Sequence, residues 1–374
     1  MHFISLQENL KKGLNIVGHA TAKNVNLPIL NNILIKAENG NIELVSTNLE
    51  IGIVHQLRGK IEKSGQFTVD SKLIGEYVNL LSGGEKVDLE ENENELLIES
   101  GNYKTKIKGE SAKEFPLIPV IPKTNPYICQ TEEFKKSLES VIFAVSASEN
   151  RVELTGVLFS FQKNKLSLAA TDSYRLAEKE MKVSGRSETE ELKVIVPAKT
   201  TQELLRILNN LGDFSNEDSS ELKIYLNENQ ILFTVDSVDL ISRLINGHYP
   251  DYKQIIPTQS QTEISAERSE LVRAVKAAAL FSKTGINDVT LRFSKNKIVV
   301  TAFSGTSGES RTELEADVKG VDNEITVNYR YLIDGLNNVG SSQVKISVLN
   351  SNTPCLLRPE NGDSYLYIVM PIRQ

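Results

Sequence analysis

Four histidines, two cysteines and forty-nine carboxylates are the raw material from which this chain of 374 residues could build a catalytic or metal centre. His2, His19, His55 and His248 stand in no HxxxH or HExxH spacing, so no single helix face brings two imidazoles to one ion. Cys129 and Cys355 are 226 positions apart, which excludes a CxxC site or a disulfide framework and leaves two reduced core thiols. There is no GxSxG elbow and no GxxxxGK loop followed by Ser or Thr. The glycine-rich pieces Ser82-Gly83-Gly84 and Ser304-Gly305-Thr306-Ser307-Gly308 read as strand connections, and Glu90-Glu91-Asn92-Glu93 reads as an exposed turn. No catalytic constellation emerges, so neither enzymatic activity nor a cofactor is expected. A hydrolase built on scattered carboxylates is the disfavoured exception, because carboxylate separation is a property of the fold.

The elements around these residues are more informative. Residues 163–176, KNKLSLAATDSYRL, give a polar turn, a strand alternating Leu166, Leu168 and Ala170, and a polar exit at Thr171-Asp172-Ser173. The same turn, strand and exit occur at 39–50, with Ile42 standing 124 positions before Leu166. They occur again at 295–306, with Ile298 standing 132 positions after it. That spacing divides the chain into three like parts. Each part offers two helices at spacings of three and four: Leu6, Leu10, Leu14, Val17 and Leu73, Tyr77, Leu80, Leu81 in the first. The second has Phe134, Leu138, Val141, Val145 and Leu204, Leu205, Leu208, Leu211; the third has Leu271, Val275, Ala278 and Leu332, Ile333, Leu336, Val339. Proline clusters after Phe115-Pro116 and Tyr249-Pro250-Asp251-Tyr252 serve as linkers. The expected organisation is α+β: three domains at 1–124, 125–257 and 258–374, each an antiparallel sheet with two helices on one side.

Composition is globular, with 40% hydrophobic and 24% charged residues. No run of eighteen apolar residues occurs and the N-terminus has no signal-peptide pattern, so a cytoplasmic protein without a membrane partner is expected. The net charge of −7 argues against an ordinary DNA-binding domain. Yet the six helical windows (6–22, 70–82, 131–147, 197–211, 265–282, 328–339) hold eleven basic and ten acidic residues, so the deficit lies outside them. Solvated helix faces account for this as well as a function does. Like units turning by a constant angle close into a ring or open into a spiral. Two such chains closed with helices inside would line a hole with twelve of them. At about 10 Å per helix, the circle through the axes is roughly 38 Å across and the hole roughly 28 Å, wider than a B-form duplex. A loose, sequence-blind hold on phosphates needs few basic residues.

Certain runs carry a resemblance. Leu154-Thr155-Gly156, residues 170–176 (ATDSYRL), Tyr249-Pro250-Asp251-Tyr252, residues 367–373 (YIVMPIR) and Leu27-Pro28-Ile29-Leu30 occur in this order along the whole chain. Together they resemble the bacterial sliding clamp family, the beta subunit of DNA polymerase III. The resemblance implies the DNA clamp fold: sheets outside, helices inside, and a head-to-tail homodimer ring around double-stranded DNA. It also implies a non-catalytic processivity factor, loaded by a clamp loader complex. Such a factor tethers the DNA polymerase III alpha subunit and other clamp-motif proteins through short peptides. A monomeric peptide-binding scaffold of the same fold is the alternative.

Onto this chain the resemblance carries a peptide pocket of Leu154, Thr171, Ser173, Tyr174, Arg175, Leu176, Pro250, Asn328, Tyr331, Val369, Met370, Pro371, Ile372 and Arg373. An apolar cleft would take the peptide's hydrophobic side chains, and strand-end backbone with Arg175 would fix its polar groups. Here Ser173-Tyr174 replaces a Gly-His pair, Gln254 an arginine, and Ile372 and Gln374 a Met and a Leu. DNA-facing residues are expected at Lys11, Lys12, Lys23, Lys72, Lys135, Lys136, Lys199, Arg206, Arg273 and Lys276. The dimer interface maps to Tyr103, Thr105 and Ile107 on an edge strand, and to Leu280 and Phe281 at a helix end.

Overall fold

The three hairpins read from the sequence set the architecture, and a computed structural model describes residues 1–21, 27–186, 191–212, 221–283, 285–362 and 364–373. Asn32–Glu38 pairs antiparallel with Asn41–Thr47, Gly156–Gln162 with Lys165–Thr171, and Asp288–Ser294 with Lys297–Ser304. Each turn needs a residue at positive φ, and the chain supplies Asn39 (52°), Lys163 (45°) and Asn296 (61°). Asparagine reaches that region more easily than most side chains, which is why the polar turn recurs.

Among the described residues six α-helices accompany the hairpins: α1 (Gln7–Val17), α2 (Ser71–Leu80), α3 (Thr131–Ile142), α4 (Ala198–Leu211), α5 (Arg268–Ala279) and α6 (Tyr329–Asn338). All are shorter than the sequence windows. At the N-terminal side of α5, residues 265–267 belong to the strand Thr262–Glu267. Three starts are fixed by side chains that satisfy an orphan N–H. Asp70 accepts from Leu73 N (2.7 Å), Glu267 from Glu270 N (2.7 Å) and Asn328 from Arg330 N (2.9 Å).

The chain forms two compact units. The first consists chiefly of Met1–Lys135 and Lys199–Leu244, the second of Lys136–Lys182 and Ile245–Gln374. The first holds one fourteen-stranded antiparallel sheet; the second holds a nine-stranded and a four-stranded sheet. Within the first unit, Ile51–Leu57 pairs with Val238–Arg243 and so joins the first repeat to the second. Within the second unit, Arg175–Lys182 pairs with Tyr365–Val369 and joins the second repeat to the third. The corresponding strand of the third repeat, Gly308–Glu315, lies at the edge of its sheet. In the first repeat, residues 103–108 of the strand Tyr103–Ser111 pair only with Glu95–Ser100, because the pairing on the other side is confined to residues 109–111.

The core is carried by alternating strand residues and the helical stripes. Phe3, Phe67, Phe134 and Phe233 in the first unit, and Phe159, Phe161, Phe293 and Tyr367 in the second, are fully buried. Cys129 and Cys355 are buried free thiols, and burial pushes the Cys355 thiol up to about 12. No helix is long and apolar enough to cross a membrane.

Candidate functional site

Strand pairing in the second unit positions the cleft residues. Arg175 sits opposite Val369 and Leu176 opposite Ile368, and the chain then turns out through Met370, whose N–H donates to the Tyr174 carbonyl (2.9 Å). Pro371 bridges to Val327, and the Ile372 N–H donates to the Thr326 carbonyl (2.8 Å). The floor is an apolar cluster of Leu176, Ile368 and Tyr252, with Met370 packed partly against it. Leu154 is buried at the end of the short 3-10 segment Glu149–Leu154. Pro250 belongs to the turn whose next aromatic, Tyr252, donates its hydroxyl to the buried Glu178 carboxylate, pinning that turn to the strand Arg175–Lys182. Burial raises the Glu178 carboxyl above its ordinary range.

The turn 171–175 is closed by its own side chains. Thr171 Oγ1 accepts from Ser173 N (3.1 Å) and donates to the Arg175 carbonyl (2.6 Å). Asp172 Oδ1 accepts from the N–H groups of Tyr174 (2.9 Å) and Arg175 (3.0 Å). Ser173 sits at φ 77°, a conformation suited to glycine, and the Arg151 guanidinium holds its hydroxyl at 3.2 Å. Tyr174 is exposed and stacks on Tyr331 with ring centroids 6.4 Å apart and 19° between planes.

Arg175, expected at the cleft, is engaged by groups of its own chain. Its Nε donates to Asp172 (3.0 Å), one terminal nitrogen to Asp334 and the other to the Phe143 carbonyl (2.8 Å). Its guanidinium lies 4.7 Å from the Tyr331 ring centroid and 5.5 Å from that of Phe143. Every nitrogen therefore has a partner within the chain, so Arg175 orders the wall. Asn328 is likewise occupied as the cap of α6, whereas Arg373 is exposed. Burial and the nearby Asp172 carboxylate raise the Tyr331 hydroxyl above its usual range, so it stays a neutral donor at pH 7.

The basic residues divide into two sets. Lys11, Lys199 and Lys276 are exposed and make no ion pair among the described residues. Lys72 and Arg273 are exposed too, but lie against Glu76 (3.7 Å) and Glu270 (2.9 Å) on their own helices. Lys136 is exposed on α3, Lys135 is half-buried beside it, and Lys23 lies outside the described residues. Two others serve the fold. Lys12 Nζ donates to the Leu211 carbonyl at the end of α4 (3.1 Å), while Arg206 donates to Asn15 (3.0 Å) and Ile16 near the end of α1 and pairs with Glu203. Helices α1 and α4 thus cap each other's carbonyl ends with cations, where the helix dipole favours them.

The edge residues also separate. Tyr103 is exposed, Thr105 half-buried, and Ile107 points into the core at 3% exposure, so only the first two are available at the surface. Leu280 is 77% exposed just beyond α5. Phe281 follows it, with its ring near the start of the edge strand Gly308–Glu315, 3.8 Å from where a Cβ on Gly308 would sit.

Three family models, described as the N-terminal, central and C-terminal domains of the DNA polymerase III beta subunit, match residues 1–119, 129–251 and 253–373. The chain belongs to this family. Among its relatives, the beta sliding clamp of Staphylococcus epidermidis is 30% identical over all of this chain and 99% of its own length, and that of Synechococcus elongatus is 28% identical with the same coverage. The solved sliding clamp of Bacillus subtilis superposes with a TM-score of 0.93 at 27% identity, covering 100% of this chain and 99% of that one. That of Pseudomonas aeruginosa bound to griselimycin gives 0.93 at 26%, with both chains covered in full. The three-domain fold with antiparallel sheets is that of this beta-subunit family.

Three residues at this cleft were not singled out in the sequence: Phe143, Asp334 and Glu178. Asp334 reads there only as an acid on a helical window, 159 positions from Arg175. No local pattern links the two. The other carboxylate on Arg175, Asp172, lies in the repeated exit turn, where Asn48 occupies the same position in the first repeat.

Proposed function

We propose that this chain is a sliding clamp: a head-to-tail homodimer ring that encircles duplex DNA without regard to sequence and tethers polymerase. The observation that carries this is strand continuity. Two of the three repeat-to-repeat positions are filled by antiparallel pairing within the chain, and the third leaves one free edge at residues 103–108 and another at Gly308–Glu315. These edges are the two halves of the same kind of junction. Pairing each with its counterpart on a second copy satisfies both ladders and removes the exposed edges. Tyr103, Thr105, Leu280 and Phe281 flank that seam.

Lys11, Lys199 and Lys276, with Lys72, Lys135, Lys136 and Arg273 as support, face the duplex through water. Arg206 and Lys12 act chiefly by holding α1 to α4. The cleft around Leu176, Met370 and Tyr331 takes the short peptides of the polymerase alpha subunit, the clamp loader and other clamp-motif proteins, in the cytoplasm. The reaction itself belongs to those partners, and this chain contributes no chemistry.

The decisive experiment loads the protein onto nicked circular DNA with a clamp loader, then linearises half of the sample. Retention on the circle with rapid loss from the linear form is expected. Equal loss from both would remove the ring and leave the monomeric scaffold. Lys11→Glu with Lys199→Glu and Lys276→Glu reduces loading several-fold while leaving peptide binding unchanged.

A further inference from the structure

The turn 171–175 at the proposed peptide cleft has a double in the first repeat, 124 positions earlier, and the two share the four side-chain bonds of their Thr and Asp or Asn. Thr47 Oγ1 accepts from Leu49 N (3.0 Å) and donates to the Ile51 carbonyl (2.8 Å). Asn48 Oδ1 accepts from the N–H groups of Glu50 (3.0 Å) and Ile51 (2.8 Å), as Asp172 does from its own neighbours. Leu49 sits at φ 74° where Ser173 sits at 77°. The Arg243 N–H donates to the Glu50 carbonyl (3.2 Å), just as the Met370 N–H donates to the Tyr174 carbonyl (2.9 Å). The Pro116 turn stands where the Pro250 turn stands. A cavity of about 260 Å³ lies there, within the first unit, lined by Leu49, Ile51, Leu117, Ile118, Ile241 and Arg243 among others.

The two clefts differ in what fills them. Gly52 takes the place of Leu176, and the freed space is occupied by Ile118, whose Cδ1 would lie 3.0 Å from a Cβ at Gly52. The lips remain apolar and open, with Leu49 at 45% and Leu117 at 96% exposure. At the position of Met370 stands Arg243, exposed and making no ion pair among the described residues. Ligand pockets for whole small molecules run to about 300–1,000 Å³, so this one has room for a single large side chain. Arg243 is the cation and Glu50 the carboxylate of this lining, and a carboxylate that follows an apolar residue seated in the slot would meet the Arg243 guanidinium.

We infer that this cleft is a second peptide-docking site, taking an extended segment in which a bulky apolar residue precedes an acidic one. It rests on the reading of the 171–175 cleft as a peptide site, and one experiment separates the two. Methyl-labelled full-length protein is titrated with Ac-Gly-Phe-Glu-Gly-NH2 and Ac-Gly-Phe-Gln-Gly-NH2, following the methyl signals of Leu49, Leu117, Ile118 and Met370. The Glu peptide is expected to shift the Leu49, Leu117 and Ile118 signals and to bind there at least fivefold more tightly than the Gln peptide. Arg243→Gln should erase that difference, since its side chain is exposed and its backbone bond to Glu50 needs no particular residue. Absence of shifts at those three residues, equal affinity for the two peptides, or indifference to Arg243→Gln would overturn the second site. A response at Met370 alone does the same while keeping the first. If the three signals shift on dilution without peptide, the occupant is a second copy and the inference fails.

Discussion

His55 is a neutral imidazole held beneath α1. Its Nε2 lies 3.3 Å from the Ser237 hydroxyl, and its Nδ1 is buried without a partner among the described residues. Burial, with the nearby Lys12 ammonium adding to it, lowers its pKa from 6.5 to about 4. The unfolded chain therefore binds a proton in a range where the folded chain does not. The stabilisation is complete above pH 6.5 and is lost as pH falls towards 4, by about 3 kcal/mol in all. Urea unfolding at pH 7 and pH 5 measures it, and His55→Leu should flatten the slope across that window. Arg175 gives a second expectation. A lysine there cannot reach two carboxylates and a carbonyl at once, so Arg175→Lys should loosen Tyr331 and weaken binding of a polymerase peptide roughly tenfold, leaving the dimer unchanged; fluorescence anisotropy reads the first and solution mass the second. At this scale the sequence was only half legible. It marked Arg175 and Met370 as neighbours of a cleft, but a guanidinium's partners are chosen by tertiary packing, and for the same reason it could not show that Arg206, expected to face DNA, bonds to Asn15 and Ile16, 190 positions and more away.

Elements were more readable, because turn chemistry and apolar period are local. The three hairpins, the six helices and the α+β class all follow from spacings visible within fifteen residues, while helix ends moved inwards where a strand reaches the cap, as at Glu267. What no period reveals is how closely a helix must approach a strand. Gly335 in α6 is such a place: a Cβ there would come within 2.2 Å of the Tyr367 ring, and the Tyr367 hydroxyl donates to the Tyr331 carbonyl (2.8 Å). Helix propensity alone would make Gly335→Ala stabilising by about 1 kcal/mol. Overpacking a fully buried ring opposes that with about 1–3 kcal/mol, and the nearest atoms are a rigid aromatic on a central strand, so the clash should win. The expected result is a lower unfolding midpoint together with weaker peptide binding, since the strand Tyr365–Val369 forms the floor of the cleft. A stabilised variant with normal peptide affinity would mean that α6 can slide away from Tyr367 without disturbing the site.

At the scale of the whole molecule, the proposed ring reconciles an acidic chain with a hold on DNA: in that ring retention would come from closure, and the exposed lysines would need only to keep the duplex off the wall. Closure by unlike edges has a consequence that closure by like surfaces lacks. Suppose one variant is damaged at the first-repeat edge, Tyr103→Ala with Thr105→Pro, and another at the third-repeat edge, Leu280→Ala with Phe281→Ala. Alone, each has lost one half of every seam and should run as a monomer. Mixed, the intact third-repeat edge of the first variant meets the intact first-repeat edge of the second, which restores one seam of two. The mixture should therefore show dimer mass by analytical ultracentrifugation yet slide off circular DNA as readily as off linear DNA, because the second seam cannot shut. Like-to-like association predicts otherwise: each variant alone would keep one intact surface that pairs with its own copy, so dimer mass would already be present before mixing and mixing would add none. The mixed sample thus distinguishes an open chain of two from a ring of two, and it does so with variants whose substitutions lie outside both peptide clefts, so that normal peptide binding in each one certifies its fold.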